Sequence, residues 1–174
     1  MLGVSCVIIT NAVFTDIDFF TEYLPNSNTV FLIPLCLNVP QVFSQLLAIR
    51  YLSSCPIKAV VMVMLTVSAA IAVLLPFFVL TDAKAGLVFV SMIYFGFFMA
   101  IINSAAVGYV SSIRSPKAMG TFMFGMGINA MIVIALVLTC FLVLPDKLWQ
   151  QSMFIFGSTA GIFLIAVYCF YRLT

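Results

Sequence analysis

The sequence predicts an all-α integral membrane protein, a bundle of six transmembrane helices in one domain spanning 1–174. Three observations carry this. Apolar residues make up 65% of the chain and charged residues only 7%, against roughly 45–50% and 25% in soluble domains. The charges are spaced like punctuation, with uncharged stretches of 27, 23, 29, 28 and 24 residues between Glu22 and Arg50, Lys58 and Asp82, Lys84 and Arg114, Lys117 and Asp146, and Lys147 and Arg172. A helix needs about 20 apolar residues to cross the hydrocarbon, so each stretch holds one crossing. Finally, turn-forming clusters separate the stretches: Pro25 to Asn28, Ser53 to Pro56, Ser111 to Pro116, and Pro145 with Asp146.

The first element, 2–20, has only 14 residues before Asp16, so it must carry Asp16 and Asp18 near its far end. Its start, MLGVSCVIIT, has no basic residue. A secretory signal wants one, so a retained helix is the expectation. The remaining crossings are expected at 28–49, 59–81, 86–110, 118–144 and 149–171. Basic residues fall in the second loop (Arg50, Lys58), the fourth loop (Arg114, Lys117) and at the C-terminal end (Arg172). The positive-inside rule then places both termini on the cytoplasmic or matrix-equivalent side. Tyr23, Tyr51, Tyr109, Trp149, Tyr168 and Tyr171 lie near crossing ends, as interfacial aromatics do.

Composition excludes several functions. The chain has no His, so it cannot supply a Ser-His-Asp or Cys-His nucleophile system or a His-ligated metal. The five cysteines are scattered without a CxxC pair and read as small apolar packers. No enzymatic activity, cofactor or metal is expected. A net charge of +2 is too small for a nucleic-acid partner. The expected surroundings are the lipid bilayer and other membrane protein segments.

Polar residues inside apolar helices are costly and mark interior or water-lined faces. Asn38, Gln41 and Gln45 are spaced by three and four on the second helix, which also carries Pro34 and Pro40. They line a polar cavity or act as interhelical hydrogen-bond glue. On the first helix Asn11, Thr15, Asp18 and Glu22 form a similar row. The deeper pair is expected to face the bundle interior and the acidic pair to sit in solvent at the mouth. Gly96, Ala100, Ser104 and Gly108, each four apart with Asn103 beside them, form a small-residue ridge for close helix approach. Thr121, Gly125 and Asn129 repeat the idea on the fifth helix, and Gly157 with Gly161 form a GxxxG on the sixth. No acid–base pair is expected at mid-membrane. A solute moved by such a bundle would be uncharged and its passage passive.

Several of these segments resemble the equilibrative nucleoside transporter family. LGVSCVIITNAVFTDIDFF is similar to the family's first helix in its Leu2-Gly3 start, Asn11, Thr15 and the closing pair Phe19 and Phe20. LCLNVP resembles the second-helix run of Leu-Cys with a proline four residues on, at Cys36 and Pro40. IINS resembles the fourth-helix Ile102-Asn103-Ser104, and MFGMG the small core of the fifth, Gly125 and Gly127. The motifs run in order along nearly the whole chain. The resemblance implies the N-terminal six-helix half of a major-facilitator-like fold that continues with five more helices. It implies substrate-facing positions at Thr10, Asn11, Phe14, Asn38, Gln41, Asn103, Ser104 and Gly125. It also shows departures. The family's first-helix tryptophan falls on Thr10 and its nucleobase-binding glutamine on Val110. The Asp and Arg that meet the ribose belong to the second half. Two functions therefore stay open: a half-module passing an uncharged solute such as a nucleoside with a second half or partner, or a transport-inactive, transporter-derived subunit of a larger membrane complex.

Overall fold

The computed structural model describes residues 1–25, 27–51, 56–81, 84–113, 116–145 and 147–173; of Ile49, Tyr51 and Leu173 it describes the backbone alone. Turn residues 26, 53–55, 114, 115 and 146 lie outside the described set, as does Cys55. The described residues form helices and no strand. Three short helices open the chain: α1 (Leu2–Ser5), α2 (Ile8–Thr15) and α3 (Ile17–Tyr23). Five long ones follow: α4 (Thr29–Tyr51), α5 (Ile57–Phe78), α6 (Lys84–Ser112), α7 (Pro116–Val143) and α8 (Leu148–Leu173). Each of these five is long and apolar enough to cross a membrane. This is a multi-pass, all-helical membrane protein.

The expected single helix over 2–20 is instead broken twice. Val7 leaves helical geometry at φ −125°, ψ −15°, and Asp16 does so at φ −99°, ψ 20°. At the second break Asp16 still donates its backbone N–H to the Ala12 carbonyl at 3.1 Å. The long helices, by contrast, run on through their prolines: Pro34 and Pro40 within α4 and Pro76 within α5. Each proline leaves the carbonyl four residues earlier without its usual donor. The Ser44 hydroxyl binds back to the Pro40 carbonyl at 2.7 Å.

Helix α6 is the hub. Half of its most apolar window is buried, against 17% for α4 and for α7. Helix α4 packs chiefly on α6, α5 on α8 and α6, α7 on α1 and α2, and α8 also meets the N-terminal helices. This pattern nearly maps onto itself when the first three segments (α1–α3 together, α4, α5) are exchanged with the last three (α6, α7, α8). The α4–α6 junction answers the α7–α1/α2 junction, α5–α6 answers α8 with α1–α3, α3–α4 answers α6–α7, and α5–α8 answers itself.

A glycine enables close approach at both of the first two junctions. A Cβ on Gly96 would strike the Leu37 carbonyl oxygen and stand 3.2 Å from the Pro40 side chain of α4. A Cβ on Gly3 would strike the Phe122 carbonyl oxygen and stand 3.0 Å from the Met126 nitrogen of α7. Backbones this near gain dispersion contact, which drives helix association in lipid. A phenylalanine core ties the hub and α3 to α8, with the Phe98 and Phe163 rings edge-on at 5.5 Å and Phe20 against Phe156 at 6.0 Å.

Candidate functional site

Helices α2 and α7 leave an open groove of about 270 Å³, lined by Asn11, Phe14, Thr15, Ala130, Val133 and Ile134. The period of the helix sets this lining: Asn11, Phe14 and Thr15 are three and four apart and share the face turned from the core. Asn11 is half-buried and Phe14 and Thr15 are exposed. Thr15 therefore does not face the bundle interior, and its hydroxyl is spent on the Asn11 carbonyl at 2.7 Å. Asp18 and Glu22 are exposed.

The other sequence-derived positions are spread over the remaining helices. Thr10 is half-buried one residue before the groove. Gly125 lies against the N-terminal segment, its added Cβ position 3.4 Å from the Gly3 Cα and 3.5 Å from the Val4 nitrogen. On α6, Ser104 and Asn103 are half-buried, and the Asn103 carbonyl oxygen is enclosed without a hydrogen-bond partner. On α4, Asn38 and Gln45 are exposed and Gln41 is half-buried. That amide row looks away from the chain's own core. Of the ridge residues, Gly96 makes the close approach and Ala100 is fully buried. Gly108, Gly157 and Gly161 have open space where a Cβ would stand.

The interior holds polar groups that sequence reasoning missed. Asp16 is 5% exposed and its Oδ2 has no hydrogen-bond partner. It is the one charged side chain in the buried set among the described residues. Beside it stands Ser152 of α8, fully buried, its hydroxyl within reach of the carboxyl. Near them the Gln151 side chain donates to the Leu144 carbonyl at 2.7 Å, closing the turn between α7 and α8. Asn129 of α7 is fully buried with neither amide atom partnered. Along α7 it sits between Gly125, which meets Gly3, and Val133 in the groove wall. Between α5 and α6, Ser68 and Tyr94 pair their hydroxyls at 3.2 Å. A polar residue next to a helix break was the available signal for Asp16; nothing in the local sequence marks Cys6 and Val7 as the other break.

These groups give amide donors and acceptors and one lone carboxyl. Among the described residues no three His, Cys, Asp or Glu side chains gather as a metal site. Cys6 and Cys140 are buried, Cys36 and Cys169 half-buried, all as free thiols. These groups offer hydrogen bonding to a polar group. No family model, curated protein or solved structure matches the chain. The class that the fold defines is a multi-pass all-α membrane protein.

Proposed function

We propose that the chain is a nucleoside-transporter-like half-module that works with a second half or partner, passing an uncharged polar solute such as a nucleoside without proton coupling. On this reading α1–α3 together make the sixth crossing. Their helical path from Leu2 to Tyr23 is about 30 Å long at roughly 1.5 Å per residue, and both termini lie on the cytoplasmic or matrix-equivalent side.

The observation that carries the reading is the exchangeable packing of the first three segments with the last three. Three crossings are an odd number, so the second triplet enters from the opposite side and the two are inverted repeats. Paired three-helix inverted repeats build each half of the major-facilitator transporters. The amide row Asn38, Gln41 and Gln45 supports the need for a partner. Amides within a crossing find no hydrogen bonds in lipid, so this outward face calls for protein or an aqueous path. Passive passage fits a bundle in which, among the described residues, Asp16 is the one buried carboxyl.

A second reading, a transport-inactive subunit of a larger membrane complex, is favoured by the open glycine surfaces at Gly108, Gly127 and Gly157, where foreign helices would dock closely. The test is extraction in mild detergent, native mass spectrometry of the assembly, and uptake of radiolabelled uridine by liposomes containing it. Saturable uptake supports the first reading. Stoichiometric membrane partners without uptake support the second. A lone 19.1 kDa species without uptake overturns both.

A further inference from the structure

At the end of the bundle where α6 and α8 finish and α7 begins, the structure holds a second cavity of about 500 Å³. It lies between α1, α6, α7 and α8. Its walls are mainly apolar, with Val110, Phe122, Ala166 and Phe170 among them, and Lys117 stands at its rim. Its size is that of an ordinary small-molecule site, roughly 300–1,000 Å³.

We infer that this cavity binds an anionic phospholipid, its acyl chain between α1, α6, α7 and α8 and its headgroup at Lys117. Four observations converge on that occupant. The cavity opens at the helix ends, because Lys117 is the second residue of α7 and Ile113 follows the last residue of α6. This is headgroup depth. No acidic side chain lines it, and Lys117 is exposed with no ion pair among the described residues. The same end carries Lys58 and Arg172, each already engaged with a tyrosine ring, Tyr171 at 5.6 Å and Tyr168 at 5.5 Å. Among the described side chains that line the cavity, Lys117 is the one cation. Basic pockets between crossings on the cytoplasmic face hold anionic headgroups in this way.

The Tyr109 ring packs edge-on against Phe170 at 5.1 Å in the cavity wall. Bound lipid would bridge the N-terminal segment to α6 and α8 at the level of Leu2 and Gly3.

The experiment is native mass spectrometry of the purified protein titrated with phosphatidylglycerol or with phosphatidylcholine of the same acyl chains. Retention of phosphatidylglycerol over phosphatidylcholine is expected, about fivefold weaker in Lys117→Gln, the worth of one surface cation at an anionic headgroup. Ala166→Leu, which fills the cavity from α8, is expected to lower retention of both lipids. Equal retention of the two lipids by the wild type, or unchanged selectivity in Lys117→Gln, overturns the inference. Uridine is added as a separate arm. Displacement of lipid by uridine would assign the cavity to the solute path and overturn the lipid assignment while sustaining the proposed transport. Retained lipid alongside failed uridine uptake would sink the transport reading alone.

Discussion

The N-terminal helices and α7 are neighbours of opposite design. The first is short-pieced, interrupted at Val7 and Asp16, and enclosed along one side, where Ile8, Ile9, Ala12, Val13, Phe19 and Phe20 are fully buried. The second is an unbroken, strongly apolar helix whose most apolar window is only 17% buried. In water the apolar element would be the enclosed one. In lipid the solvent is itself apolar, so hydropathy reports compatibility with the bilayer and not burial. Enclosure goes to the segment that lipid cannot satisfy, the one with a carboxyl and two breaks in its hydrogen-bond ladder.

The comparison breaks most severely where the two regions touch. Gly3→Leu would drive a side chain into the α7 backbone at Phe122 and Met126. Overpacking of this kind costs about 1–3 kcal/mol or more, and a large fall in the temperature at which detergent-extracted protein aggregates is expected. Gly127→Leu on the same α7, which meets open space, should leave that temperature nearly unchanged. Equal losses in the two variants would mean that α1 does not dock on α7.

Asp16→Asn sharpens the other side of the contrast. It keeps the shape and removes a buried carboxyl whose Oδ2 has no partner. A buried carboxylate without a counter-charge costs more than a neutral amide of the same shape, so the variant should melt higher than the parent. A lower melting temperature would show that the carboxyl has a stabilising partner.

Asn129→Leu asks the same question of α7, on a scale of about 1 kcal/mol. Stability should rise. Uridine uptake should fall if the buried amide serves the solute, and stay level if it only fills the interior. The smallest effect belongs to the lipid-facing side: Leu142→Ala, at a residue 84% exposed, should stay within about 0.5 kcal/mol of the parent.

The five long crossings were legible because bilayer thickness and charge cost act on any sequence, so charge spacing alone brackets α4 to α8. Helix α4 also shows what was not legible. The spacing of Asn38, Gln41 and Gln45 put them on one face, but their direction depends on which neighbour α4 chooses. It chooses α6 through Gly96, Leu37 and Pro40, and the amides turn outward. The N-terminal segment reads as one helix because its uncharged run continues up to Asp16. Its breaks are set by packing against α7 and α8, which no local pattern records. Helical spacing put Asn11 and Thr15 on one face, but not that this face turns outward onto a groove; the burial of Asp16 beside Ser152 was equally hidden, because it joins residues distant in the chain.

The glycine contact between α1 and α7 also has a temporal side. Gly3 leaves the ribosome well over a hundred residues before Phe122 and Gly125 exist, and Asp16 emerges equally long before Ser152. The α1–α3 segment thus finds its place only after α7 and α8 have been made. Until α7 and α8 arrive, a carboxyl and two ladder breaks must be sheltered by water, by the insertion machinery or by a chaperone in the membrane. Truncating the chain after α6 would therefore strand its beginning, even though the residues removed come from its end.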